Sequence, residues 1–225
     1  MGYRAIALSQ VDGSGAESIG REVAQQLGFG YLNEAIVAQV AKDYGVDPAI
    51  VTEAEQRKSF FLRVVEMAAR GAPDVMPDPP NYTVNQPDTL LSLIQDAVRD
   101  AADRGSVVLV AHAACYACVD LPQVLRVCIT APLQTKASRM ASALGISDKE
   151  AARLLRRSDA GRASYLKRVY GVDAESPADY DVVINTERLA PDAAAGLILG
   201  LVQARPATLP PATAPAGSAG PTPPG

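Results

Sequence analysis

The sequence contains no tryptophan, and aromatic residues make up only 5% of its 225 positions. A core with so few large rings must be filled by Leu, Val, Ile and Ala, and a hydrophobic content of 48% supplies them. No apolar run is long enough to span a membrane, and the N-terminus lacks a charged segment followed by an apolar one. Three cysteines cannot all pair within the chain, which suits a reducing compartment, so the expected location is the cytoplasm. A basic excess is missing too. The net charge of −4 and the pI near 5.1 argue against a general nucleic-acid binder, so neither nucleic acid nor membrane is expected as a partner. The length fits one α/β domain with a tail.

What the chain does have is an opening in three parts. Ala5-Ile6-Ala7-Leu8-Ser9 reads as a buried strand, Gly13-Ser14-Gly15 as a small-residue turn, and Ile19, Val23 and Leu27 as one face of a helix that starts near Ser18. Strand, glycine turn and helix start are the ingredients of a phosphate cradle. Glycines let the backbone wrap closely around an anion, and the first N–H groups of the helix point at it. A full Walker loop also carries a lysine before its Ser/Thr, and here none lies between Gly15 and Ser18.

The remaining chain alternates helices and strands. Residues 28–32 read as a second strand, followed by helices over 34–42 and from Asp47-Pro48 towards Gly71. Five prolines within 72–87 predict a mobile loop, and Leu90, Leu91, Ile94 and Val98 mark a further amphipathic helix. Three more strands, over 106–110, 124–129 and 181–184, complete a set of five, which implies a parallel sheet with right-handed crossovers and the strand over 3–9 at its centre. From Arg205 the composition turns to Pro, Ala, Thr and Gly, so a domain over 1–205 and a disordered tail over 206–225 are expected.

Two clusters carry possible chemistry. Residues 132–170 hold Lys136, Arg139, Arg153, Arg156, Arg157, Arg162, Lys167 and Arg168, cations of the kind that neutralise a transferring phosphoryl group. Helical spacing puts Arg153 and Arg157 on one face, with a break expected around Asp159 and Arg162. A solvated helical face laced with ion pairs is the plainer reading of the same residues. His112, Cys115 and Cys118 have the spacing H-x-x-C-x-x-C, and with Cys128 nearby they offer soft ligands for zinc. The strand-to-helix context instead makes them small buried hydrophobes, the commoner role, and no metal is expected there.

Three stretches resemble one family. The run 19–31, with Arg21, Leu27, Gly28, Phe29 and Tyr31 and then Asn33-Glu34, is similar to the opening of cytidylate-kinase-like proteins, P-loop nucleoside monophosphate kinases whose loop reads roughly Gly-Ser-Gly-Gly. The string from Arg157 to Tyr165 resembles their lid pattern Arg-x-Asp-x-x-Arg-x-x-Tyr, and Tyr180 to Thr186 resembles their last strand. The likeness spans most of 3–202. It implies a P-loop NTPase-type three-layer α/β fold, a five-stranded parallel sheet with helices on both faces, acceptor-side helices over about 34–104 and a helical lid over about 146–170.

The resemblance also implies roles. ATP and Mg²⁺ would be the cofactors, and CMP or dCMP the acceptor. Gly13, Ser14, Gly15, Ala16, Glu17 and Ser18 would cradle phosphates, with the Ser18 hydroxyl on Mg²⁺. Arg157 and Arg162 would close over the transferring group, oriented by Asp159. Asn33, His112, Arg139 and Asn185 would line the substrate side. The departures fall among these same positions. Ala16 stands near the place of the missing lysine, and Glu17 adds a carboxylate. His112 replaces a usual arginine, Asn33 a usual aspartate, and Lys136 another usual arginine. An active kinase, a kinase with a different acceptor, and a nucleotide-binding module that has lost the reaction all remain open on sequence.

Overall fold

The computed structural model describes residues 2–33 and 88–204. The helices expected over 34–71, the proline-rich loop over 72–87 and the tail from 206 lie outside the described residues. Strands β1 (Ala5–Gln10), β2 (Gly30–Asn33), β3 (Val107–Ala111), β4 (Val124–Thr130) and β5 (Val182–Asn185) form one sheet in the order β2-β3-β1-β4-β5. Every pairing is parallel, and β1 is central, between β3 and β4. The expected five-stranded parallel sheet is therefore the observed one.

Among the described residues the α-helices are α1 (Ala16–Leu27), α2 (Asp88–Arg104), α3 (Ala114–Ala117), α4 (Leu133–Leu144), α5 (Asp148–Tyr170) and α6 (Pro191–Gln203). Helices α1 and α6 pack together with α1 on the sheet, and α2 packs with α3 and the opposite side of β1 and β3. Burial on both faces explains why β3 is Val-Val-Leu-Val-Ala with no polar alternation. Helix α1 lies very close to the strands. A Cβ at Gly20 would sit 2.6 Å from the Val110 side chain, so only glycine allows this separation.

Helices α4 and α5 form a hairpin with its own small core of Ala137, Met140, Ala141, Ala151 and Leu155. Ser147 caps α5 by accepting from the Glu150 amide at 3.2 Å, and Gly171 ends it in a left-handed conformation. The break expected around Asp159 and Arg162 does not occur. Ala151, Leu155, Ser158, Arg162, Tyr165 and Leu166 are buried along one continuous helical face, and this packing outweighs the weak propensity of Gly161. Four tyrosines fasten the C-terminal end of α5. Tyr116 packs against Tyr170 and Tyr180 at ring distances of 5.7 and 6.1 Å, and Gln95 donates to the hydroxyls of Tyr165 and Tyr170.

Candidate functional site

The segments that leave the carboxyl ends of β1 and β3 meet the α4–α5 hairpin, and the loop between β1 and α1 lies at that edge. Gly13 and Gly15 have φ of 73° and 86°, a left-handed backbone that side chains disfavour. Gly13 has a second constraint: a Cβ there would meet the Lys136 carbonyl at 2.8 Å. Gly15 is the cap residue of α1, and no side chain caps this helix. The first amides of α1 thus keep their outward-facing donors, as the start of a helix does when no side-chain acceptor intervenes.

The loop is strapped from the α4 and β5 side. Arg139 donates to Thr186 Oγ1 at 2.9 Å and to the Thr186 carbonyl at 2.7 Å, and reaches the Gly13 and Ser14 carbonyls at 3.4 Å. Thr186 Oγ1 donates to the Ser14 carbonyl at 2.7 Å. Ser14 itself is buried, and its hydroxyl has no hydrogen-bond partner. Arg139 is therefore committed to loop carbonyls and to Thr186, which differs from the substrate-side role the resemblance implies.

Helix α5 is latched onto the same loop. Asp12 accepts from Ser158 Oγ with one carboxylate oxygen, and the other lies 3.0 Å from His112 Nε2. Burial alone would raise the Asp12 carboxyl, but His112, Ser158 and the nearby Lys136 charge outweigh it and hold it below the ordinary carboxylate range. Lys136 Nζ lies 3.3 Å from Asp159 Oδ2. Arg162 is 3% exposed, donates to the Gln10 carbonyl at 2.9 Å and to the His112 carbonyl, and forms a two-pronged pair with Glu175 at 2.8 and 2.5 Å. The Glu175 carboxyl would be raised by burial, yet the Arg162 bond and charge hold it low. Tyr180 donates its hydroxyl to the same carboxylate.

These contacts re-sort the residues expected at the site. Gly13, Ser14, Gly15, Asn33, His112, Lys136 and Asp159 gather at the carboxyl edge. Arg157 is exposed on α5, with Arg153 and Arg156 exposed beside it. Arg162 faces inward and is a buried post, not a free lid cation. Asp159 meets Lys136 and does not orient arginines by any described bond. Ala16 points into the core at 2% exposure, whereas Glu17 is half-buried near Tyr31, whose hydroxyl is pushed up by burial and by that carboxylate. Ser18 is exposed and donates to the Gly15 carbonyl at 2.9 Å, which leaves its oxygen lone pairs available. Asn33 is buried at the end of β2, two positions short of the level of His112. Asn185 Oδ1 is exposed and accepts from the Glu187 amide at 2.9 Å, closing a turn.

The cysteine reading separates in the same way. Cys115, Cys118 and Cys128 are all buried free thiols, and Cys115 Sγ reaches the Ala7 and Val127 carbonyls at 3.2 and 3.6 Å. Burial pushes the Cys115 and Cys118 thiols up to about 12. Among the described residues, no group of three His, Cys, Asp or Glu side chains could hold a metal. His112 turns to Asp12 instead of towards the sulfurs.

Asp12, Ser158 and Glu175 had no assigned role on sequence. Ser158 and Arg162 were legible in one respect: both fall on the apolar stripe through Leu155, Tyr165 and Leu166, which puts their side chains inward. Glu175 lies beyond the end of the helix and has no such register.

A family model described as the cytidylate kinase-like family matches residues 5–188. The chain belongs to the cytidylate kinase-like family. Among curated relatives, the cytidylate kinase of Ignicoccus hospitalis is 26% identical over 189 residues, which covers 84% of this chain and 92% of that protein. The cytidylate kinase of Methanopyrus kandleri is 26% identical over 196 residues, covering 83% and 86%. Among solved structures, an uncharacterized protein from Eubacterium ventriosum superposes with a TM-score of 0.63 at 18% identity, over 89% of this chain and 98% of that one. That structural likeness concerns the fold.

Proposed function

We propose that the protein is an ATP-dependent phosphotransferase that moves the terminal phosphoryl group of ATP onto a nucleoside monophosphate, CMP or dCMP by family likeness. The observation that carries this reading is the loop from Gly13 to Ser18. It leaves the carboxyl end of the central strand, turns through two left-handed glycines and opens into a helix start without a side-chain cap. Hydrogen bonds from Arg139 and Thr186 brace it in that shape. Preorganised amides of this kind stabilise phosphate charge at no cost in rearrangement.

In this reading ATP phosphates lie along the loop, and the acceptor lies beside Asn33 and His112 at the ends of β2 and β3. Exposed Arg157 on α5 faces no described internal partner and is the lid cation that approaches the transferring group. Mg²⁺ enters with ATP, held mainly by phosphate oxygens, as this ion usually is. Ser18 fits that demand, since it offers a single hydroxyl oxygen with free lone pairs.

A second reading is a module that binds nucleotide and no longer transfers phosphate. It is favoured by the loop sequence Gly-Ser-Gly-Ala-Glu-Ser, which has no cation of its own. One experiment separates the two. Purified protein is titrated with Mg·ATP by calorimetry and then incubated with ATP and a panel of monophosphates, with ADP formation measured. Binding with turnover on CMP or dCMP supports the kinase, and binding without turnover on any acceptor supports the module. Absence of nucleotide binding overturns both.

A further inference from the structure

The loop lacks a lysine, yet a lysine lies against it. Lys136 is in the first turn of α4, a helix distant in sequence from the loop, and its side chain is 6% exposed. Buried lysines are rare unless they are paired, so this position calls for an explanation. Its backbone and Cβ pack on Gly13 closely enough that a Cβ there would lie 3.0 Å from Lys136 Cβ. Its charge also contributes to the lowering of the Asp12 carboxyl, the residue immediately before Gly13. The ammonium thus stands beside the first half of the loop.

Its surroundings fix it there. Arg139, three residues along the same helix, clamps the Gly13 and Ser14 carbonyls, so α4 and the loop move as one unit. Two other cations described at this edge are committed. Arg139 is spent on carbonyls and Thr186, and Arg162 on Glu175 and two carbonyls. Lys136 differs in having for its partner the carboxylate of Asp159, whose side chain is 43% exposed and which belongs to the other helix of the hairpin. An ion pair with one half-solvated member is the kind that an incoming phosphate can exchange.

We infer that Lys136 supplies, from α4, the phosphate-contacting cation that the loop itself lacks, with Asp159 holding its ammonium until nucleotide arrives. This inference rests on the nucleotide-binding reading above. It would explain how the loop tolerates Ala16 and Glu17: the charge is delivered from the side of Gly13 and not from the helix start. Phosphate then replaces Asp159 as the partner of Nζ.

The test compares the two members of the pair, because a purely structural ion pair and a phosphate-contacting lysine respond differently. Lys136→Met, Lys136→Arg and Asp159→Asn are each titrated with Mg·ATP and melted without ligand. Lys136→Met is expected to weaken ATP binding by about 10- to 100-fold, the loss that accompanies removal of a hydrogen bond to a charged group. Lys136→Arg is expected to recover most of it. Asp159→Asn is expected to tighten binding, since the competing carboxylate has gone. Equal weakening in Lys136→Met and Asp159→Asn would overturn the inference and leave a structural pair. Unchanged binding in Lys136→Met would also overturn it, with the nucleotide-binding reading intact. Failure of the parent protein to bind ATP removes both. Should Lys136→Met not fold, Asp159→Asn decides alone: tighter binding supports the inference and weaker or equal binding overturns it.

Discussion

Arg162 shows how far a side chain's surroundings decide what it does. A guanidinium at 3% exposure, with donors on a carboxylate and two carbonyls, holds three segments together: the end of β1, the residue after β3 and the chain beyond α5. Removing it leaves Glu175 with only the Tyr180 hydroxyl and takes a donor from two carbonyls. Arg162→Ala is therefore expected to destabilise the protein by about 3 kcal/mol, the scale for breaking a buried pair, as measured by urea unfolding. Unchanged stability with lost turnover would return Arg162 to the role of a lid cation. Gly13 and Gly28 make a second test at this scale. Both have positive φ, but a Cβ at Gly28 meets nothing within 4 Å whereas at Gly13 it meets the Lys136 carbonyl at 2.8 Å. Gly28→Ala should cost about 1 kcal/mol from backbone strain alone, and Gly13→Ala clearly more, on the order of 2–3 kcal/mol. Equal melting temperatures for the two variants would show that the loop is not pressed against α4.

At the scale of elements, the latch between α5 and the β1–α1 loop depends on two carboxylates whose folded pKa values are lowered, Asp12 and Glu175. A lowered pKa contributes stability that is fully present above the unfolded value, about 4, and is lost as pH falls through the folded value. Stability should therefore hold from neutral pH down to about 4 and fall below it. Asp12→Asn and Glu175→Gln should each flatten that acid limb in urea titrations between pH 7 and pH 2.5, starting from a lower plateau. An acid limb of unchanged slope in both variants would place the proton uptake elsewhere.

The same elements show what was legible beforehand. The strands were readable because each is a short, nearly continuous apolar run, and burial on both faces leaves that mark whatever the topology. The glycine turn into α1 was readable because glycine at a strand-to-helix turn answers to backbone sterics, which are local. The latch was not. Asp12 meets Ser158, and Arg162 meets Glu175, across separations that no periodicity encodes, and a cluster of basic residues gives no sign of which of them face inward until the apolar stripe of α5 is followed through it. The break expected around Asp159 and Arg162 hid that stripe. The role of Arg139 was obscured for a similar reason, since a guanidinium that grips carbonyls and one that grips substrate look alike in sequence.

For the whole molecule, the three buried thiols lie on α3, at its C-terminal cap and on β4. With Cys115 and Cys118 pushed up to about 12, thiolate is scarce at pH 8, on the order of one part in ten thousand. Labelling by an aromatic disulfide reagent should then be slow in the native state, and its rate should rise with urea along the unfolding curve. Rapid stoichiometric labelling without denaturant would mean that the sheet is open on the α3 side.

The sheet order also bears on how the chain comes off the ribosome. Of the five strands the central one is made first, yet its two neighbours are made third and fourth: Ala5 pairs with Val107 on one side and with Val124 on the other, more than a hundred residues later. At a synthesis rate of roughly 5–20 residues per second, the opening strand and its glycine loop wait several seconds for any strand partner to emerge. During that interval Ala5-Ile6-Ala7-Leu8 is an apolar segment with both hydrogen-bonding edges bare, the kind of surface that a nascent-chain chaperone would cover. Ribosome-stalled chains released at increasing lengths should stay protease-sensitive until β4 is clear of the exit tunnel, and then acquire resistance in one step.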